Sequence, residues 1–378
     1  MTTTLLPDDD LPQELAAFAQ RIRAFAQHKL APHARRIDEE GTFRRETARE
    51  LGVEGLLGGH GWSWLQTALA SEEIGAVCGN TRGFMAVQTG LVLGALERYA
   101  NAAQRARWTA ALTRGECIGC FGLTEADAGS DVAALACRAQ QVTGGYELSG
   151  AKIWITNGGV ADVGLVFATV DPARGKDGIT AFLLEMPCTG LRREPMPGKE
   201  LGHRGSDHAQ LVFERCFVPD AAVVGKVGEG FAVAMHGLHC GRLSVAAGAV
   251  GIVRAALTAT LTFARSRRQF GKPIAAFQMV QERIADMTVD LQAARALVWR
   301  CARRRDEGRE VPADLAIAKL FATEAASRAA DQAVLLHGGR GYSSEYPVER
   351  LLRDAMGLRI YEGTSLVQKL IVARELTR

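Results

Sequence analysis

The sequence predicts a multi-domain α+β protein with three parts in order: an N-terminal helical domain, a central β domain and a C-terminal helical bundle. Three observations carry that prediction. The chain has 378 residues, whereas single hydrophobic cores stop growing near ~250–300 residues. At about Cys120 the texture changes from Ala-, Leu-, Glu- and Arg-rich sequence to short β-rich runs, and after Gly230 helical periodicity returns. The expected divisions are residues 1–119, 120–225 and 226–378.

In the first part Phe18, Ile22 and Phe25 recur at helical spacing, the pattern of a helix with one apolar face. In the second, Lys152–Thr156, Val163–Val170, Thr180–Glu185 and Gln210–Phe217 are separated by Gly, Pro and Asp turns, with Gly144-Gly145 as a hairpin turn. In the third, Phe277, Val280, Ile284, Met287, Leu291, Ala294, Val298 and Cys301 alternate spacings of three and four, a seam that packs against other helices. Gln332 to Arg340 reads as a helix ending at Gly338-Gly339, a left-handed cap. There is no internal repeat, low-complexity tract or long linker, so a ligand between closely packed domains is the default expectation.

Composition narrows the function classes. With 47% hydrophobic and 23% charged residues, the whole chain is expected to fold as a soluble protein. Met1 to Asp10 has neither the charge nor the apolar core of a secretory signal. Leu243 to Val253, bounded by Arg242 and Arg254, is far shorter than the ~20 residues of a membrane span and reads as a buried helix. Eight cysteines without regular spacing fit a reducing cytoplasm. The net charge of +3 demands no nucleic-acid partner.

Several motifs fail. Gly228-Glu229-Gly230 lacks the third glycine of a dinucleotide loop, and there is no nucleophile elbow or P-loop. Cys117 and Cys120 form a lone C-x-x-C, and His236 and His239 lack a third ligand, so no metal is expected. Four segments carry more. Phe121-Gly122-Leu123-Thr124-Glu125-Ala126-Asp127-Ala128-Gly129-Ser130-Asp131 combines small residues with hydroxyls, which suits close approach of a ligand to backbone, or a plain polar loop. Trp154-Ile155-Thr156-Asn157 offers an aromatic plane beside hydroxyl and backbone donors, or an ordinary core strand. Arg265 to Pro273 places cations before a chain break, where phosphates or solvent could meet them. Tyr361-Glu362-Gly363-Thr364-Ser365 sets a carboxylate in a break between helices, a position also common for a helix-end charge.

In this order, from about Leu11 to Leu376, those segments resemble the acyl-CoA dehydrogenase family. The resemblance implies a C-terminal four-helix bundle, a homotetramer, and FAD held between the middle and last domains and across a subunit contact. It further implies that Phe121, Leu123, Thr124, Gly129 and Ser130 line the flavin and that Trp154, Ile155 and Thr156 flank its ring. Arg267, Phe270 and Gln278 would reach the pyrophosphate and adenosine side; Leu335, His337, Gly338 and Gly339 would come from a neighbouring subunit; Thr364 and Ser365 would hold the adenine end. Ser130, Arg242 and Gly363 would meet the substrate, and Glu362 matches the catalytic base of the short- and medium-chain members. Some members carry the base on the helix that here contains Gly241, and a glycine cannot abstract a proton. The sequence departs from the family pattern at Ala126, Leu335 and Leu366, and Leu57 to Trp64 is shortened.

The activity implied is α,β-dehydrogenation of an acyl thioester, with Glu362 removing the α-proton where water is excluded, and electron-transferring flavoprotein as acceptor. The H-G-G-R-G and R-R-Q-F-G-K-P stretches also resemble members from antibiotic biosynthesis, acting on an acyl or aminoacyl group tethered to a carrier protein. A catalytically silent flavin-binding subunit is the rival from another class, and retention of Glu362 argues against it.

Overall fold

A computed structural model describes residues 11–58, 61–309 and 311–377, so the reading of Met1 to Asp10 and part of the shortened 57–64 loop lie outside the described residues. Helices α1 (Gln13–Phe25), α2 (Ala31–Glu40), α3 (Glu46–Val53), α4 (Trp64–Gly75), α5 (Gly79–Met85), α6 (Gly94–Tyr99) and α7 (Ala102–Thr113) come first. Then follow strands β1 (Gly119–Gly122), β2 (Arg138–Val142), β3 (Gly145–Ile155), β4 (Val163–Thr169), β5 (Ile179–Glu185), β6 (Leu191–Pro195), β7 (Ala209–Pro219) and β8 (Val223–Val224). Helices α8 (Gly230–Ser266), α9 (Gln278–Asp306), α10 (Pro312–His337), α11 (Val348–Leu358) and α12 (Ser365–Leu376) complete the chain. The α, β, α order is the one read from the sequence.

Local chemistry sets several boundaries. Ser63 with Gln66 and Asn101 with Gln104 form reciprocal capping boxes that start α4 and α7. Pro312 opens α10, where its missing N–H is harmless. The hairpin expected at Gly144-Gly145 is present one residue earlier: Val142 pairs with Gly145, so the two-residue loop is Thr143-Gly144, with Gly144 at φ 79°. Gly338 does end α10, but at φ 59°, ψ −141°, outside the left-handed helical basin expected of it.

The sheet runs β6-β7-β3-β2-β4-β5-β8, with β1 parallel to β4. Strands β2 and β4 meet only at Arg138 and Thr169. The strands of the sheet enclose a core that includes Tyr146, Leu148, Val166, Phe182, Leu184, Leu211 and Phe213. All four predicted runs are strands, whereas β1, β2, β6 and β8 escaped the sequence reading. Two glycines disguise β1, three polar residues disguise β2, and β8 is two residues long.

Leu243 to Val253 is buried throughout within the 37-residue α8, packed on α4, α9 and α10. By length and composition α8 could cross a membrane; here its apolar middle is the centre of the bundle core. The α9 seam is buried from Met287 to Cys301, but Phe277, Val280 and Ile284 are only half-covered, because this end of the helix lies at the margin of the chain's own core.

The first helical segment is locked to the last by acids on α4. Glu72 pairs with Arg295, and Glu73 with Arg254 at 2.6 Å and Arg23 at 2.8 Å. Both acids are almost fully buried, so each needs these partners. Backbones also touch: a Cβ on Gly251 would lie 2.2 Å from the Glu72 carbonyl oxygen, and one on Gly75 2.8 Å from the Gly248 Cα. Gly251→Ala is therefore expected to lower stability by about 1–3 kcal/mol, the usual penalty of overpacking, as read by chemical denaturation. Wild-type stability in that variant would show that α4 and α8 can move apart freely.

Candidate active site

Glu362 follows α11 in a tight loop at φ 54°, and Gly363 continues at φ 92°. Such backbone is uncommon for a non-glycine residue, and the loop is held from several sides. Arg242 Nε donates to the Glu362 carbonyl at 3.2 Å, and the buried Lys319 Nζ donates to the Gly363 carbonyl at 2.6 Å. Gln368 Nε2 adds a bond to Gly363 O at 2.8 Å. The Thr364 hydroxyl caps α12 through Val367 N, and the Ser365 hydroxyl donates to Glu324 at 2.7 Å. The hydroxyls expected to serve a ligand thus already serve the loop.

The carboxylate of Glu362 lies against Gly241 on α8, where a Cβ would be 2.2 Å from Oε2. The residue that cannot be the base is the one that makes room for it. Oε2 is buried and has no hydrogen-bond partner, while the rest of the side chain opens onto a cavity of about 400 Å3. Burial pushes the carboxyl up to about 7, against the charges of Arg82, Lys319 and Arg242, which pull it down. Burial also lowers Lys319 to about 8. Desolvation of a carboxylate near several cations is how a base is poised near neutral pH.

The cavity lies between the β domain and the helices. Its walls include Phe121, Leu123, Thr124, Trp154, Ile155 and Thr156 from the sheet, Leu238 from α8, and Met356, Gly357, Ile360, Tyr361 and Glu362 from the end of α11 onward. Val87 and Leu91 come from a π-helical segment, Ala86–Leu93, between α5 and α6. Trp154 is 52% exposed and held at φ 57°. A mostly apolar slot with an uncovered aromatic plane, the Thr124 and Thr156 hydroxyls and nearby backbone donors fits a flat heteroaromatic ring. Behind it, Lys152, wholly buried, pairs with Glu125 and donates to Leu123 O at 3.2 Å. Glu125 accepts from Cys137 N at 3.0 Å, so this ion pair fixes the ends of the loop that carries Gly129 and Ser130.

The remaining candidates lie elsewhere. Gly129 and Ser130 are exposed beyond the cavity wall. Arg267, Phe270 and Gln278 gather with Leu335, Gly338 and Gly339 near the far end of α8, where His337 stacks on Phe263 at 4.3 Å. The imidazole of His337 is buried and its Nδ1 bonds Ala333 O at 2.7 Å, so that side chain belongs to the helix, not to a ligand. Arg242 touches Glu362, yet Arg267 lies roughly 37 Å further along the same helix at ~1.5 Å per residue. Arg267 therefore does not reach the cavity of its own chain. Ala126, Leu335 and Leu366 are all exposed. Among the described residues there is no cluster able to hold a metal; Cys120 is a buried thiol that desolvation raises to about 12.

Sequence reading missed Arg82, Lys319, Tyr361 and His203. A signal existed for the first two: Arg82 is the only charge between Gly79 and Leu96, and Lys319 stands alone in Leu315 to Ala322.

A carboxylate of raised pKa, sealed between a β domain and a helical bundle beside a slot for a flat ring, defines an oxidoreductase that pairs proton abstraction with a flat acceptor. Sequence models of the acyl-CoA dehydrogenase N-terminal, middle and C-terminal domains match residues 12–116, 120–216 and 228–377. The chain belongs to the acyl-CoA dehydrogenase family. It is 38% identical to the short-chain specific acyl-CoA dehydrogenase of Homo sapiens mitochondria over 383 aligned positions, 99% of this chain and 93% of that one. A glutaryl-CoA dehydrogenase of Mycobacterium smegmatis in complex with FADH2 superposes with TM-score 0.94 at 32% identity, covering 98% and 96% of the two chains. The prolyl acyl carrier protein oxidase AnaB gives TM-score 0.93 at 30% identity, covering 97% and 100%.

Gly241→Ala should displace the Glu362 carboxylate. We expect dehydrogenation to fall by at least about tenfold, since a ~1 Å misplacement can cost 10²-fold, while flavin absorbance is retained. Undiminished turnover would mean that the carboxylate works from another position.

Proposed function

We propose that the chain is an FAD-dependent dehydrogenase of short acyl thioesters, oxidising the bond between the α and β carbons with Glu362 as base. The observation that carries this reading is the buried Glu362 carboxyl, its Oε2 without a hydrogen-bond partner, in the wall of a small cavity whose other wall fits a flavin ring. The residues present suit FAD: Trp154, Thr124, Ile155 and Thr156 border the slot. Bound FAD supplies the acceptor for the β-hydride.

Glu362 takes the α-proton of the thioester. Its pKa near 7 narrows the gap to the weakly acidic α-carbon, and the group is mostly ionised above that pH. The Glu362 N–H donates to no acceptor among the described residues, so it is free to bond the thioester carbonyl as negative charge grows there. Phe121, Leu123, Val87 and Leu91 keep the cavity apolar and strengthen those interactions by excluding water. Arg242 and Lys319 act through the backbone they hold.

Beyond this chemistry, we propose a homotetramer in which the Arg267, Phe270, Gln278 and Leu335–Gly339 group completes the FAD site of a neighbouring subunit. Phe270, Met279, Tyr342 and Leu366 are 92%, 74%, 91% and 70% exposed, apolar surface that a subunit contact would cover. Electron-transferring flavoprotein is the proposed acceptor and the cytoplasm the proposed location. A second reading, a substrate tethered to a carrier protein, is favoured by the likeness to AnaB.

Anaerobic titration of the flavin band with CoA thioesters, and then with loaded carrier protein, tests the activity. Bleaching by CoA thioesters supports the first reading, bleaching by loaded carrier alone the second, and a protein that purifies without flavin overturns both. Glu362→Gln should keep FAD and lose on the order of 10²–10⁴-fold in flavin reduction. Because the base must be ionised, kcat/KM is expected to rise with pH through about 7 and level off above it; a profile flat from pH 5 to ~9 would remove Glu362 from that role.

A further inference from the structure

We propose that Cys188 and Cys216 are a redox modification site, a thiol pair that hydrogen peroxide converts to a disulfide and that small thiols reopen. Both residues lie in the β domain, and nothing in their chemistry depends on the dehydrogenase reading above.

The two sulfur atoms are 3.3 Å apart although the residues are 28 positions apart in the chain. Cys188 opens a turn between β5 and β6, closed by Leu191 N–H donating to the Cys188 carbonyl at 3.2 Å, with Gly190 at φ 84°. This turn is pressed onto β7. Gly190 O accepts from Glu214 N at 2.8 Å, and a Cβ on Gly190 would lie 2.9 Å from the Cys216 Cα. Only a glycine permits that approach, and the approach brings one sulfur onto the other. Cys216 is fixed, fully buried and paired with Leu148 of β3. Closing the sulfur contact to a bond asks for a shift of roughly 1 Å, which the turn can take up at Cys188.

Of the two, Cys188 is the reactive thiol. It is half-buried and opens onto a groove of about 320 Å3 walled by Trp108, Leu184 and Phe217, so a small oxidant can reach it. The hydrogen bond with Cys216, helped by the charge of Arg193, holds the Cys188 thiol below its usual value against the effect of burial. The same bond and burial raise Cys216. Since the thiolate is the nucleophile, the exposed partner attacks and the covered one resolves. Other thiols are less reactive. Cys117 is also half-buried, but burial and Asp162 raise it, and burial raises Cys120, Cys137 and Cys301 to about 12, 11 and 12.

The chemistry closes without any other reactant. The Cys188 thiolate displaces hydroxide from hydrogen peroxide and becomes a sulfenic acid. The Cys216 sulfur then attacks that sulfur, the S–S bond forms, and hydroxide leaves with the proton that Cys216 gives up. Two thiols are oxidised, one peroxide is reduced, and two waters result. The bridge ties β6, the edge strand of the sheet, to β7 at its root. The chain after β6 supplies Glu200, Leu201 and His203 to the cavity wall, so the strand that is anchored is the one that leads into that wall. Closing so long a loop restricts the unfolded chain, which makes the bridged form the more stable one.

The test treats the wild-type holoenzyme, Cys188→Ser and Cys216→Ser with hydrogen peroxide, alkylates the remaining thiols and maps the peptides by mass spectrometry. In the wild type we expect a Cys188–Cys216 bridged peptide, formed at least about tenfold faster than Cys117 is oxidised, and reopened by dithiothreitol. The bridged protein should melt about a few degrees higher than the thiol form. In Cys216→Ser, Cys188 should instead gain oxygen as far as the sulfinic acid, which dithiothreitol does not reverse. Wild-type Cys188 that goes to the sulfinic acid without bridging overturns the proposal, as does oxidation of Cys117 at the same rate. A bridged protein that melts lower than the thiol form also overturns it, because the fold would then have to open to admit the bond. Should either variant fail to fold, the wild-type map and melting temperatures decide. None of these readouts uses turnover, so failure of the dehydrogenase reading would be seen separately.

Discussion

The active site depends on one steric allowance: residue 241 has no side chain. The Glu362 carboxylate lies where a Cβ on α8 would otherwise be, 2.2 Å from Oε2. That contact keeps the oxygen from solvent and from hydrogen-bond donors together, and desolvation follows from it. A wider gap would admit water and return the group to the ordinary carboxylate range. A side chain would push it into the cavity.

Such a close fit requires that α8 and the loop after α11 be fixed relative to each other. Two different devices supply this. Hydrogen bonds from Arg242, Lys319 and Gln368 hold the loop by its carbonyls, so that its unusual backbone is over-determined. Further along α8, the glycine contacts with α4 and the pairs of Glu72 and Glu73 with Arg295, Arg254 and Arg23 stop the helix from shifting. Buried ion pairs add little net stability but are costly to break singly. They therefore suit a frame that must keep one geometry.

The same arrangement explains why cations outnumber acids around the base. Arg242 and Lys319 have work on the backbone, and each lowers the carboxyl pKa against the rise caused by burial. The balance near neutrality comes from those opposed effects. Arg82, which donates to the Tyr361 hydroxyl, contributes to it too.

The order helix, sheet, helix was legible in the sequence because it rests on local periodicity and turn chemistry: the α9 seam, the four alternating runs, the Gly144 hairpin. Glu362 was legible through its Tyr-Glu-Gly-Thr-Ser setting, and the flavin wall through Phe121 to Thr124 and Trp154 to Thr156. Strands without such signals, β1, β2, β6 and β8, were not, since pairing partners lie far away in the chain. The sequence also named Arg267 and His337 as residues of one site, but only the fold showed roughly 37 Å of helix between Arg242 and Arg267, and an imidazole already committed to Phe263 and Ala333. The motifs in their order, through the family resemblance they carry, thus determined the class of chemistry. The tertiary structure alone decided that Gly241 seats the carboxylate, that Lys319 and Arg242 grip its loop, and that Arg82 borders the cavity, because burial and partnership are properties of neighbours in space.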